Sequence, residues 1–75
     1  MTNNKENLSN EQSARLFVLL LKEIAEKKGI TQQEIAEKTG LHQSNIARVF
    51  SVKFIPSFKN FIAIAKAIGI EIVLK

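Results

Sequence analysis

Apolar residues along this chain fall into four helix-like stretches separated by glycine or proline, followed by one short alternating run. The first stretch opens on Ser9-Asn-Glu-Gln12. This is the form of a capping box, in which the serine hydroxyl accepts an early backbone N–H and the glutamine reaches back. The helix is expected to run to about Lys28, with Gly29 as its stop. Ala14, Phe17, Leu21, Ile24 and Ala25 fit one face and are expected in the core. Leu16, Val18, Leu19 and Leu20 spread around the rest of the cylinder. A helix apolar on most sides is buried on most sides, so a second subunit is the expected cover for the spare faces.

Thr31-Gln-Gln-Glu34 is a second capping box, and Ile30 with Ile35 supplies a hydrophobic staple around it. Gly40 ends this helix, and Leu41 is placed to drop into the core at the turn. The third helix is expected from His42 or Gln43 to about Phe50, with Ile46, Val49 and Phe50 inward. Pro56-Ser57 opens a fourth, with Ser57 as N-cap. Its inward residues are expected to be Phe58, Phe61, Ile62, Ala65 and Ile68, and Gly69 closes it. Ile70-Glu-Ile-Val-Leu-Lys75 has the β-branched content of a strand, with Ile70, Ile72 and Leu74 on one face. One strand cannot satisfy its own backbone. A matching strand from a second copy is the economical partner, and a tail packed on the first helix is the alternative. The expected organisation is a frayed polar tail over 1–8, an all-α four-helix domain over 9–69, and a dimerising strand over 70–75.

Length and composition narrow the class. Seventy-five residues make one small domain, and 45 % hydrophobic residues support one modest core, so stability gained by association is expected. The absence of cysteine excludes disulfides and thiolate metal sites and suits a reducing cytoplasm. With no Asp and a single His besides, neither a metal nor a cofactor is expected. The apolar run Leu16–Leu21 is far too short to span a bilayer and follows a polar start, so neither a membrane segment nor a signal peptide is expected. The net charge of +4 is unevenly placed: residues 1–30 hold five Lys/Arg against four Glu, and residues 31–75 hold six against three. The excess lies where a phosphate-binding surface would need it. Ordinary solubilising charge would read the same way.

The stretch from Thr31 to Val49 meets the demands of a helix-turn-helix. Ala36 is small where the two helices must cross closely. Nine positions into the unit the chain must turn sharply, and Gly40 does so without strain. Ile46, six residues later, is a β-branched residue that can lock the second helix against the first. Residues 31–69 resemble the lambda repressor and Cro type of helix-turn-helix domain, the XRE-like regulators of phages and bacteria. The match covers Gln32-x-x-x-Ala36-x-x-x-Gly40, Gln43-Ser-Asn-Ile46, Pro56-Ser57 and Ile64-Ala-Lys-Ala-Ile-Gly69. The first helix fits by position and character only. The resemblance implies a phosphate contact for Gln32 and base reading by Gln43, Ser44 and Arg48. His42, Asn45, Lys53 and Ser57 are further candidates for phosphate. The chemistry agrees, since Gln pairs bidentately with adenine, Arg with guanine, and helix N-termini offer N–H groups to phosphate. A merely solvated helix face is the competing reading of the same side chains.

The chain also departs from the family pattern. After the recognition helix the family shows an acidic residue and a Gly-Lys pair, whereas this chain reads Phe50-Ser-Val-Lys53. Val52 stands in place of the glycine, so a positive φ there would be strained. His42 occupies the usual Ser/Thr capping position and is open to three roles: a weak cap, a phosphate contact, or simple exposure. The expected function is that of a regulator, a repressor by preference, binding double-stranded DNA as a homodimer. Leu16, Leu19, Leu20, Ile70, Ile72 and Leu74 are expected at the dimer interface. The alternative is an antitoxin that binds a toxin protein as well as its operator. An enzyme is not expected, because no nucleophile–base arrangement is visible.

Overall fold

The computed structural model describes residues 9–71. The expected tail over 1–8 and the last four residues of the expected strand, Ile72 to Lys75, lie outside the described residues. Four helices follow one another: α1 Asn10–Lys28, α2 Gln32–Thr39, α3 Gln43–Phe50 and α4 Phe58–Ile68. Local chemistry sets these boundaries. The Ser9 hydroxyl accepts the Gln12 N–H at 3.1 Å, and Gln12 Oε1 accepts the Ser9 N–H at 3.0 Å. Thr31 and Glu34 repeat the exchange at 3.1 and 2.9 Å. Ser57 accepts the Asn60 N–H at 3.2 Å. Each such cap stabilises its helix by about 1 kcal/mol.

Among the described residues there is no strand, and Ile70 shows why pairing does not begin there. Gly69 ends α4 in the left-handed conformation at φ 93°. The Ile70 N–H then turns back to the Ala65 carbonyl at 2.9 Å, the six-to-one bond of a Schellman ending. The Ile70 side chain packs, half-buried, against the core of its own chain. Its backbone donor and its side chain are thus both engaged within the subunit. The same end is tied to α1, for Lys28 Nζ donates to the Ile68 carbonyl at 2.8 Å.

Helices α1 and α2 each pack against α3 and α4, and the core sits where all four meet. Ile35, Ile46, Ile64, Ile68 and Val18 are its largest fully buried side chains. Ile30, Leu41, Ile24 and Phe61 pack partly buried around it. Two expectations fail here. Phe17 is 58 % exposed and Phe58 is 67 % exposed. The buried stripe of α1 is Val18, Leu21 and Ala25, displaced from the expected one, and Ala14 is only half-buried. The unbroken apolar run Leu16–Leu21 covers every side of its turns and blurs the periodic signal for the rotation of α1, so packing on α3 and α4 sets it. On α4 the buried residues are Ile64, Ala65 and Ile68, in its second half. At its start Pro56 is buried instead, while Phe58 faces outward and Phe61 meets Phe17 edge-on at 6.3 Å. Leu16, Leu19 and Leu20 are exposed. No described helix is long and apolar enough to cross a membrane, and no described group of side chains could hold a metal ion.

Candidate nucleic-acid interface

The scaffold of the site is the α2–turn–α3 unit. Gly40 adopts φ 78°, ψ 6°, and its N–H returns to the Ala36 carbonyl at 2.9 Å. Ala36 is almost wholly buried and Ile46 completely so, which seats α3 closely on α2. Thr39 completes the turn. Its hydroxyl donates to the Ile35 carbonyl at 2.8 Å and accepts the Leu41 N–H at 3.2 Å. Sequence reasoning missed Thr39; the available signal was a hydroxyl residue directly before the turn glycine, which can bond the carbonyl four residues back.

Burying Ile46, Val49 and Phe50 leaves Gln43, Ser44 and Arg48 exposed on the other side of α3. Gln43 and Arg48 are five residues apart, about 140° around the helix, and Ser44, four residues before Arg48, lies nearly in line with it. Gln32, at the start of α2, and Asn45 are half-buried, while Lys53 is exposed in the loop after α3. His42 takes the N-cap position of α3 with extended backbone but makes no side-chain cap bond, and it is exposed. Capping is therefore not its role. The N-terminal N–H groups of α3 are left without a side-chain acceptor, and its first turn has no acidic residue. Ser57 caps α4, so its oxygen already accepts one bond, although its hydroxyl proton is free to donate.

The loop after α3 is bent back on the helix end. The Ser51 hydroxyl donates to the Arg48 carbonyl at 2.6 Å, and the Val52 N–H reaches the Val49 carbonyl at 3.1 Å. Val52 is the described non-glycine residue with positive φ, at 65°. Holding a β-branched residue there costs about 1–2 kcal/mol, the strain anticipated from the missing glycine. Beyond it, the Arg48 guanidinium lies 4.8 Å from the centre of the Phe54 ring.

Charge over this part of the chain suits an anionic partner. From Lys38 to Ile70 the chain carries Lys38, Arg48, Lys53, Lys59 and Lys66 and no carboxylate. The ion pair formed among the described residues, Arg15 with Glu11 at 3.0 Å, is within α1. Arg48 and Lys53 have no carboxylate partner there, so their donors stay available to a polyanion.

This geometry defines a helix-turn-helix domain: a buried locking isoleucine, a left-handed turn glycine, and a second helix with a polar outward face. A helix-turn-helix family model matches residues 21–74, and the chain belongs to that family, of the lambda repressor and Cro-like XRE type. The family is one of DNA-binding transcription regulators. The match begins within α1, so Leu16, Leu19 and Leu20 precede it. No curated protein and no solved structure matches the chain.

Proposed function

We propose that this chain is a sequence-specific repressor that reads the major groove of double-stranded DNA with α3. The observation that carries the reading is the exposed trio Gln43, Ser44 and Arg48 on a helix locked to α2 by Ile46, in a carboxylate-free part of the chain. Gln43 is assigned to an adenine edge and Arg48 to a guanine edge, and Ser44 accepts or donates to either. Gln32, Asn45, Lys53, the Ser57 proton, His42 and the N–H groups opening α3 are assigned to phosphates, which fix register without reading sequence.

The working form is a homodimer with one recognition helix per half-site, about one helical turn apart. Leu16, Leu19 and Leu20 are exposed on α1. Beside them Phe17, Leu20, Ile24, Phe58, Phe61 and Ile70 line an apolar groove between α1 and α4. An apolar surface this continuous marks an interface, and a two-fold copy covers both faces at once. Ile72 and Leu74, also expected at a dimer contact, lie outside the described residues. Sedimentation at roughly tens of micromolar is expected to give a dimer; a monomer at that concentration would assign the face to a different protein, such as a toxin.

Recovering bound duplexes from a randomised pool, then comparing two variants on the best duplex and on a scrambled one, tests the DNA reading. Gln43→Ala is expected to cost about 1–3 kcal/mol on the selected duplex and little on the scrambled one. Lys53→Ala is expected to weaken both alike. Equal losses on both duplexes for Gln43→Ala would remove it from the base readers.

A further inference from the structure

Phe54 has no evident structural reason to be aromatic. It lies in the loop between α3 and α4, outside the core, and is 41 % exposed. The Arg48 guanidinium sits over its ring, 4.8 Å from the centre. The chain reaches Phe54 through two local features: the Ser51 hydroxyl donates to the Arg48 carbonyl at the end of α3, and Val52 takes a left-handed conformation unfavourable to valine. We propose that Phe54 is a positioning residue for DNA recognition, holding the Arg48 guanidinium ready for a guanine edge. This rests on the assignment of Arg48 as a base reader.

The chemistry suits the role better than an ion pair would. A free arginine samples many rotamers, and freezing them on binding lowers affinity. A carboxylate would restrain the side chain but would consume its N–H donors. An aromatic ring attracts the cation through its quadrupole and accepts none of the in-plane hydrogen bonds that guanine O6 and N7 require. Arg48 is thereby restrained with its donors free. The contact lies within one subunit, so it is in place before DNA arrives.

The test uses the full chain, the best duplex recovered from a randomised pool, and a scrambled duplex of the same composition. Phe54→Leu keeps apolar bulk but removes the ring. It is expected to weaken binding to the selected duplex about five- to thirtyfold, the size of two exposed cation–π contacts, one in each subunit of the dimer. Binding to the scrambled duplex should not change, and the preference for guanine at one position should relax. Phe54→Tyr is expected to restore all three properties. In an Arg48→Ala background, Phe54→Leu should have no further effect. The same loss persisting in that background would mean that Phe54 touches DNA itself, and the proposal falls. If Arg48→Ala costs nothing on the selected duplex, the base-reading assignment fails and takes the proposal with it. If Arg48→Ala costs affinity while Phe54→Leu does not, the Phe54 role alone is overturned. A second measurement needs no DNA: the Arg48 side-chain protons should show ring-current NMR shifts that vanish in Phe54→Leu and survive in Phe54→Tyr. Unshifted protons in the unaltered protein would also overturn the proposal.

Discussion

Ile46→Ala is expected to remove a large share of the domain's folding stability and to weaken DNA binding with it. The side chain is fully buried, at the point where α3 packs on α2 beside Ala36. Removing an isoleucine to alanine in such a site costs about 2–5 kcal/mol, combining lost transfer energy with the cavity left behind. A domain of this length has roughly 4–11 kcal/mol of stability in total. The loss therefore takes a large share, and it falls on the contact that aims the recognition helix. Urea denaturation followed by circular dichroism measures it. A cost below about 1 kcal/mol would mean that α3 is not locked to α2 through this residue. Ser44→Ala, at an exposed position on the same helix, should leave the denaturation midpoint nearly unchanged.

DNA affinity is expected to fall about a hundredfold between 50 and 200 mM monovalent salt. Each phosphate neutralised by a protein cation releases condensed counterions, so log affinity declines with log salt at a slope of about −0.9 per contact. Lys53 at the backbone and Arg48 in the groove each place a positive charge among the phosphates, which gives about four charges per dimer and a slope near −3.6. Lys53→Ala should flatten that slope by about two units, one from each subunit. Gln43→Ala should leave it unchanged, because an amide releases no counterion. Fluorescence anisotropy over a salt series reads both. An affinity indifferent to salt would rule out a phosphate-tracking surface and, with it, the DNA-binding reading of α3.

Helix boundaries were legible along the chain because their causes are local. Ser9 with Gln12, Thr31 with Glu34 and Ser57 with Asn60 bond across three residues, and Gly29, Gly40 and Gly69 each take a positive φ. The helix-turn-helix was legible for the same reason. Ala36, Gly40 and Ile46 satisfy a short-range geometry whose spacing is written in order. The sequence marked Val52 as the place where a glycine is missing but left open whether the turn would change instead; the structure keeps the positive φ, at 65°.

What the sequence by itself determined is this local grammar: where four helices start and stop, where the chain turns, and which side of α3 faces away from α2. Tertiary structure alone decided how α1 is rotated, which left Phe17 exposed and buried Val18. The apolar run Leu16–Leu21 blurs the angle of that cylinder until two other helices press on it. It also decided the fate of Ile70, drawn into its own core by the ending of α4, and the seating of Phe54 under Arg48. That last contact depends on the path of a loop through a strained residue, and a rule of periodicity or capping carries no information about such a path.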